Sequence, residues 1–147
     1  MIVPATADDQ ASVVALWQAC GLTRPWNDPV ADFARAVAGA ESAVLVMRGS
    51  GSGVDGTEDA ILGSVMVGFD GHRGWIYYLA VAPGRQRGGI GRALMGAAEE
   101  WLRTRGAPKI QLMVREDNVA ALGFYEALGL ERQKVVTLGR FIGKEGA

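Results

Sequence analysis

A mixed α/β (α+β) fold is what the 147-residue sequence predicts: a mainly antiparallel sheet of six or seven strands with four helices set into it. Three features predict it. Apolar runs of strand length recur between Gly-, Asp- and Ser-rich breaks, three of them in succession between residues 42 and 82. Four other segments carry apolar residues three and four apart, the period of a helix buried on one face. The composition, 49% hydrophobic and 21% charged with a net charge of −1, suits a single globular domain over residues 1–147.

The elements follow in chain order. Ile2 and Val3 start an edge strand that Pro4 limits. Thr6, with Asp9 three residues on, marks a helix start, and that helix runs to about Cys20 before Gly21. "GLTRPWNDP" reads as a loop. Asp28 is placed to cap a second helix whose first position is Pro29, with Val30, Phe33, Ala34 and Val37 on its buried face. Ser42–Arg48 is a strand, and residues 49–59, "GSGSGVDGTED", are a mobile hairpin loop with nothing to bury. "AILGSVMVGF" and "GWIYYLAVA", joined by "DGHRG", complete an antiparallel meander. Leu94, Ala97, Ala98, Trp101 and Leu102 mark a third helix over residues 90–105, stopped by Gly106. Lys109 to Val114 is a short buried strand. A fourth helix opens at Asn118 and closes at Gly129, and "ERQKVVTLGRFI", residues 131–142, finishes the sheet.

The junction "APGRQRGGIGRAL", Ala82 to Leu94, places glycines and arginines between a strand and a helix. Glycines there let the backbone approach a ligand closely, and the first N–H groups of the helix lack intrahelical partners. Such amides, with the positive helix end behind them, form a phosphate cradle, and Arg85, Arg87 and Arg92 stand at its rim to meet outer phosphates. The same glycines also suit a plain turn, and the arginines a solvated surface. No Gly-Lys-Ser/Thr follows, so this is not a P-loop, and no Gly-x-Gly-x-x-Gly occurs to suggest a dinucleotide site.

"QRGGIG", Gln86 to Gly91, resembles the Gln/Arg-x-x-Gly-x-Gly/Ala signature of the GNAT superfamily of N-acetyltransferases. "NVAALGFYEALGL" is similar to that family's Asn-x-x-Ala-x-x-x-Tyr-x-x-x-Gly-Phe helix, with Leu130 in place of the Phe. The two motifs flank a strand in the family's order, and the element order extends the resemblance over nearly the whole chain. "RPWNDP" together with "FDGHRG" is similar to a YpeA-like subgroup.

The resemblance implies a GNAT-like sheet that splays between the two strands flanking the third helix, with acetyl-coenzyme A as co-substrate. The strand before the signature bulges there, and the backbone of Leu79, Ala80 and Val81 bonds the pantetheine arm. The stretch Gln86, Arg87, Gly88, Gly89, Ile90, Gly91 and Arg92 holds the pyrophosphate. Asn118 bonds the pantetheine arm, caps its helix, or does both. Tyr125 matches the tyrosine beside the thioester sulfur, as general acid or as hydrogen-bond donor to the leaving sulfur. The implied reaction is direct attack of a primary amine on the thioester, with no metal. The acceptor is a small molecule, a lysine side chain or a protein N-terminus.

An ammonium of pKa about 10.4 costs roughly 4.6 kcal/mol to deprotonate at pH 7, so a base is of use. Glu116 and Asp70 are the candidates; a water chain is the family's common alternative, and His72 reads as an exposed hairpin residue. Arg24, Trp26 and Asn27 lie where the family places part of its acceptor surface, unless Trp26 packs as a staple beside the Asp28 cap. Single Cys20 reads as a buried structural thiol, with no companions for a disulfide or metal. Neither nucleic acid nor membrane is an expected partner at this net charge, and no apolar stretch approaches the roughly 20 residues of a span. No secretory signal is visible at the N-terminus, so the expected compartment is the cytoplasm. Homodimerisation is common in the superfamily, though the sequence marks no interface. Two readings of other classes stand beside the enzyme: a non-catalytic acyl-CoA-binding or regulatory module, and a nucleotide-binding structural protein that uses the cradle alone.

Overall fold

Pro4 ends the first strand, β1 (Ile2–Pro4), after three residues, and the chain turns at once into helix. The computed structural model describes residues 1–49 and 60–143. Thr6 heads a single 3-10 turn, where Asp9 Oδ2 accepts the Thr6 N–H at 2.9 Å, and α1 (Gln10–Ala19) continues from it. Asp28 caps α2 (Pro29–Ala38) as its sequence suggests, its Oδ1 accepting the amides of Val30 at 3.0 Å and Ala31 at 3.2 Å. Three long strands follow the helices: β2 (Ser42–Gly49), β3 (Ala60–Phe69) and β4 (Gly74–Val81). Then come α3 (Ile90–Thr104) and the short β5 (Ile110–Leu112). The expected loop at 49–59 falls outside the described residues, except for Gly49.

The sheet runs β1-β2-β3-β4-β5, antiparallel through β4 and parallel between β4 and β5. A parallel neighbour needs a crossover, and α3 supplies it. Helices cover both faces. On one face α1 and α2 bury Val13, Leu16, Trp17, Phe33 and Ala36 against Val44, Val46 and Ala80. On the other, α3 buries Leu94, Met95, Ala98 and Leu102.

A second compact unit begins at Val114. It holds α4 (Val119–Ala127), capped by Asn118, whose Oδ1 accepts the Ala121 amide at 3.1 Å. The helix closes through Gly129 at φ +91°, with the Leu130 amide donating to Tyr125 O at 3.1 Å. The described sheet has five strands rather than six or seven, because residues 131–142 carry no strand. Val135, Val136, Leu138 and Ile142 stay exposed there. An apolar run becomes a strand only where a ladder and burial offset the entropy of ordering it, and this run has neither among the described residues.

Gly63 marks a close approach between β3 and α3. A Cβ on it would lie 2.8 Å from Leu94 Cδ1, 2.9 Å from Ile90 Cγ2 and 2.9 Å from the Ala80 carbonyl oxygen. The last is backbone and cannot swing away. Gly63→Ala is therefore expected to destabilise the protein by about 1–3 kcal/mol. Its thermal midpoint, read by circular dichroism, should fall by roughly 3–8 °C.

Candidate active site

β4 pairs with β3 from Gly74 to Val81 with one interruption, but β5 accompanies it only from Gly74 to Ile76. Beyond Ile76 no strand among the described residues pairs with that edge of β4, the splay that the motif resemblance implied. The same stretch carries a bulge. Ser64 faces Ala80 and Met66 faces Tyr77, so Tyr78 and Leu79 together oppose Val65 alone. Tyr78 absorbs the extra residue at φ +53°, a left-handed conformation that is an outlier for an aromatic side chain.

Past the bulge the ladder fixes where backbone groups point. The Ala82 amide donates to Leu62 O at 2.8 Å, so by antiparallel alternation Ala80 turns its N–H and C=O to β3. Leu79 and Val81 turn theirs to the open side. The Val81 carbonyl accepts the Cys20 thiol at 3.2 Å and the Gln86 side-chain amide at 3.3 Å. Of the three residues expected along the pantetheine arm, Leu79 turns both backbone groups outward, Val81 offers only its N–H because its carbonyl already accepts two donors, and Ala80 is engaged by the sheet. Cys20 is half-buried at the end of α1, and burial pushes its thiol pKa up, outweighing the Val81 carbonyl. That is the structural thiol the sequence suggested.

The strand then enters the glycine-arginine turn. Among the described residues nothing accepts a hydrogen bond from the amides of Gln86 through Arg92; the first paired amide of the helix is Ala93, donating to Gly89 O at 3.0 Å. Gly89, at φ +87°, sits at the N-cap with no side chain to satisfy the helix end and open space around its Cα. Arg87 is also left-handed, at φ +68°. Arg85, Arg87 and Arg92 are exposed, and none of them pairs with a carboxylate among the described residues. Ready-made donors and uncompensated cations converge on one turn, which suits a multiply charged phosphate ligand.

On the α1–α2 side, the Arg24 guanidinium donates to Gly21 O at 2.7 Å and Thr23 O at 3.0 Å, so it braces its own loop. Trp26 is 57% exposed, which disposes of the staple alternative, and Asn27 is exposed beside it. Asp70 belongs to the β3–β4 turn. Its Oδ1 accepts the amides of Arg73 and His72, both at 2.7 Å, and its Oδ2 accepts Trp75 Nε1 at 3.0 Å. It stands at the far end of β4 from the cradle, a strand of roughly 23 Å. These donors lower the Asp70 pKa, in the order Arg73 amide, His72 amide, Trp75 indole. In the second unit Glu116 is exposed in a turn. Tyr125 is half-buried, with the Phe124 ring edge-on at 5.1 Å, and burial raises its phenol pKa.

Residues that motif reasoning passed over hold the bulge. The Tyr78 ring stacks on Trp17 at 3.9 Å and 7°, and its hydroxyl donates to Asp32 Oδ2 at 2.7 Å. Trp17, fully buried, donates in turn to the buried Ser64 hydroxyl at 3.0 Å. Burial first, then the Asp32 bond and charge, with Asp28 adding to them, push the Tyr78 phenol far above its ordinary value. The sequence carries no signal for this beyond two adjacent tyrosines in a strand.

The sequence profile of the acetyltransferase (GNAT) family matches residues 15–130. The chain belongs to this family. An acetyltransferase of Pectobacterium atrosepticum is 46% identical over 133 residues, 90% of this chain and 89% of its own length. An uncharacterised N-acetyltransferase of Yersinia pestis is 45% identical over the same shares of the two chains. Among solved structures, AAC(6′)-Iy in complex with the bisubstrate analogue CoA-S-monomethyl-acetylneamine is similar with a TM-score of 0.76 at 16% identity, covering 97% of this GNAT chain and 98% of its own. The fold is thus shared well beyond sequence likeness, and the GNAT protein is an N-acetyltransferase.

The Asp70 bonds carry a pH signature. Its folded pKa lies below the unfolded value of about 3.9, so the ionised carboxylate favours the fold. The contribution is complete above that value and is lost as pH falls through the folded pKa. Asp70→Asn should therefore unfold at lower urea than the parent at pH 6, and the gap should close progressively below about pH 4. Urea titrations across that range check it.

Proposed function

We propose that the enzyme uses acetyl-CoA and moves its acetyl group to a primary amine, which attacks the thioester directly. The observation that carries this reading is the run of unpaired amides from Gln86 to Arg92 beside the open edge of β4. The co-substrate fits the residues present. Its diphosphate meets the amides and the α3 N-terminus, Arg85, Arg87 and Arg92 meet its outer charge, and the amide-bearing arm extends the ladder at Leu79 and the Val81 N–H. Acetyl-CoA brings the activated acetyl thioester.

Tyr125 is proposed as the group that stabilises the leaving sulfur, on the strength of its motif. Full proton transfer from a tyrosine of pKa about 10 to a thiolate of about 8.5 is uphill by roughly 2 kcal/mol. Burial raises Tyr125 further, so donation of a hydrogen bond is the favoured form of its role. The acceptor ammonium must lose its proton first. Asp70 spends both carboxylate oxygens on its turn and is held as a weak base. Glu116, or a file of waters, is the better candidate for that step. On the acceptor side, exposed Trp26 offers an aromatic wall and Asn27 an amide, in a loop that Arg24 keeps in shape. The acceptor class is a small amine, a lysine side chain or a protein N-terminus.

Two measurements test the reading. Calorimetry should find micromolar acetyl-CoA binding in the parent and none in folded Gly89→Glu, where a carboxylate enters the anion site. No binding in the parent would sink the proposal. Tyr125→Phe should keep its affinity for acetyl-CoA while kcat falls on the order of 100-fold, the usual weight of a positioned proton donor. An unchanged kcat would remove Tyr125 from the chemistry.

A further inference from the structure

The bulge in β4 is not free to relax, and the residues that pin it come from three other elements. Tyr78 occupies a left-handed backbone position, φ +53°, which a tyrosine keeps only where its surroundings over-determine it. The surroundings are specific. Trp17 of α1 lies flat on the ring at 3.9 Å, and Asp32 of α2 accepts a hydrogen bond from its hydroxyl at 2.7 Å. Trp17 is itself fixed by Ser64 of β3, the residue paired with Ala80 immediately past the bulge. The chain of contacts thus starts at β3, passes through α1 and the bulge, and ends on α2.

The consequence is directional. With the extra residue absorbed at Tyr78, the next residue, Leu79, turns its N–H and C=O to the side that β5 has left. We propose that Tyr78, clamped between Trp17 and Asp32, is a positioning residue for the pantetheine arm: it sets the register in which Leu79 and the Val81 N–H meet the co-substrate. This rests on the acetyl-CoA reading above. It gives α2 a second duty, since the helix that Asp28 caps behind the Trp26 loop also holds the co-substrate strand in place through Asp32.

The clamp separates two parts of one ligand. The bulge concerns the pantetheine arm, and the glycine turn concerns the diphosphate. Calorimetry with acetyl-CoA and with 3′-phospho-ADP, which carries the diphosphate without the arm, reads them apart. Tyr78→Phe and Asp32→Ala should each weaken acetyl-CoA about ten-fold, the weight of a hydrogen bond to a charged group, and leave 3′-phospho-ADP at the parent's affinity. The double variant should be no weaker than either single one, because both remove the same bond. Asp32→Asn, which keeps an acceptor oxygen but not the charge, should bind between the parent and Asp32→Ala. Arg35→Ala, which removes only the exposed ion pair to Asp32 Oδ1, should bind as the parent does. Tyr78→Phe with parental acetyl-CoA affinity would overturn the clamp while leaving the acetyl-CoA reading intact. Equal losses for both probes would overturn it too, by reducing Tyr78 to a general support. A parent that binds neither probe would overturn the acetyl-CoA reading, and the clamp with it.

Discussion

A parallel pair of strands cannot be joined by a tight turn, and in this protein that constraint organises the first unit. To set β5 beside β4 in parallel, the chain must leave the end of β4, cross one face of the sheet as α3, and return. The crossing brings the N-terminus of a fifteen-residue helix next to the carboxyl end of β4. β5 then pairs for three residues only, so the same strand end is left open. Unpaired helix amides and an unpaired strand edge therefore lie side by side, one suited to anionic oxygen and the other to an amide-bearing chain. Neither feature needs a specialised side chain, because backbone geometry supplies both.

The arginines act through local separation of charge. The net charge is −1, yet the glycine-arginine turn is cationic, since several acidic residues of the first unit are engaged elsewhere. Asp9 holds Arg48 at 2.7 Å, Asp28 caps α2, Asp32 takes the Tyr78 hydroxyl, and Asp70 closes the β3–β4 turn. Glu99 and Glu100 pair with Arg103 further along α3. Arg85, Arg87 and Arg92 are left facing solvent without carboxylates nearby among the described residues. A field of this kind is short-ranged at physiological salt, which suits a ligand held in contact with the turn.

Much of the fold was legible because it rests on local chemistry. The α2 cap at Asp28 and Pro29, the stop at Gly106, the Asn118 cap and the three meander strands all follow from a few neighbouring residues each. The run of unpaired amides in the glycine-arginine turn was legible for the same reason: the residues are contiguous. Where long-range pairing decides, the sequence was a poorer guide. Residues 131–142 have strand-like content, but content does not supply a partner, and Val136 and Ile142 remain exposed. Asp70 had the residue type of a base, and only the folded turn revealed that its oxygens were committed.

By itself the sequence determined the family, the element order as far as α4, the capping residues and the contiguous glycine-arginine turn, since each is encoded within a helical turn or a short motif. Tertiary structure alone decided the bulge and its clamp. Trp17, Asp32, Ser64 and Tyr78 are spread over four elements, and no spacing relates them. A left-handed tyrosine has no local cause: its strain, about 1–3 kcal/mol, is offset by a stack and a hydrogen bond that exist only once α1 and α2 have docked on the sheet.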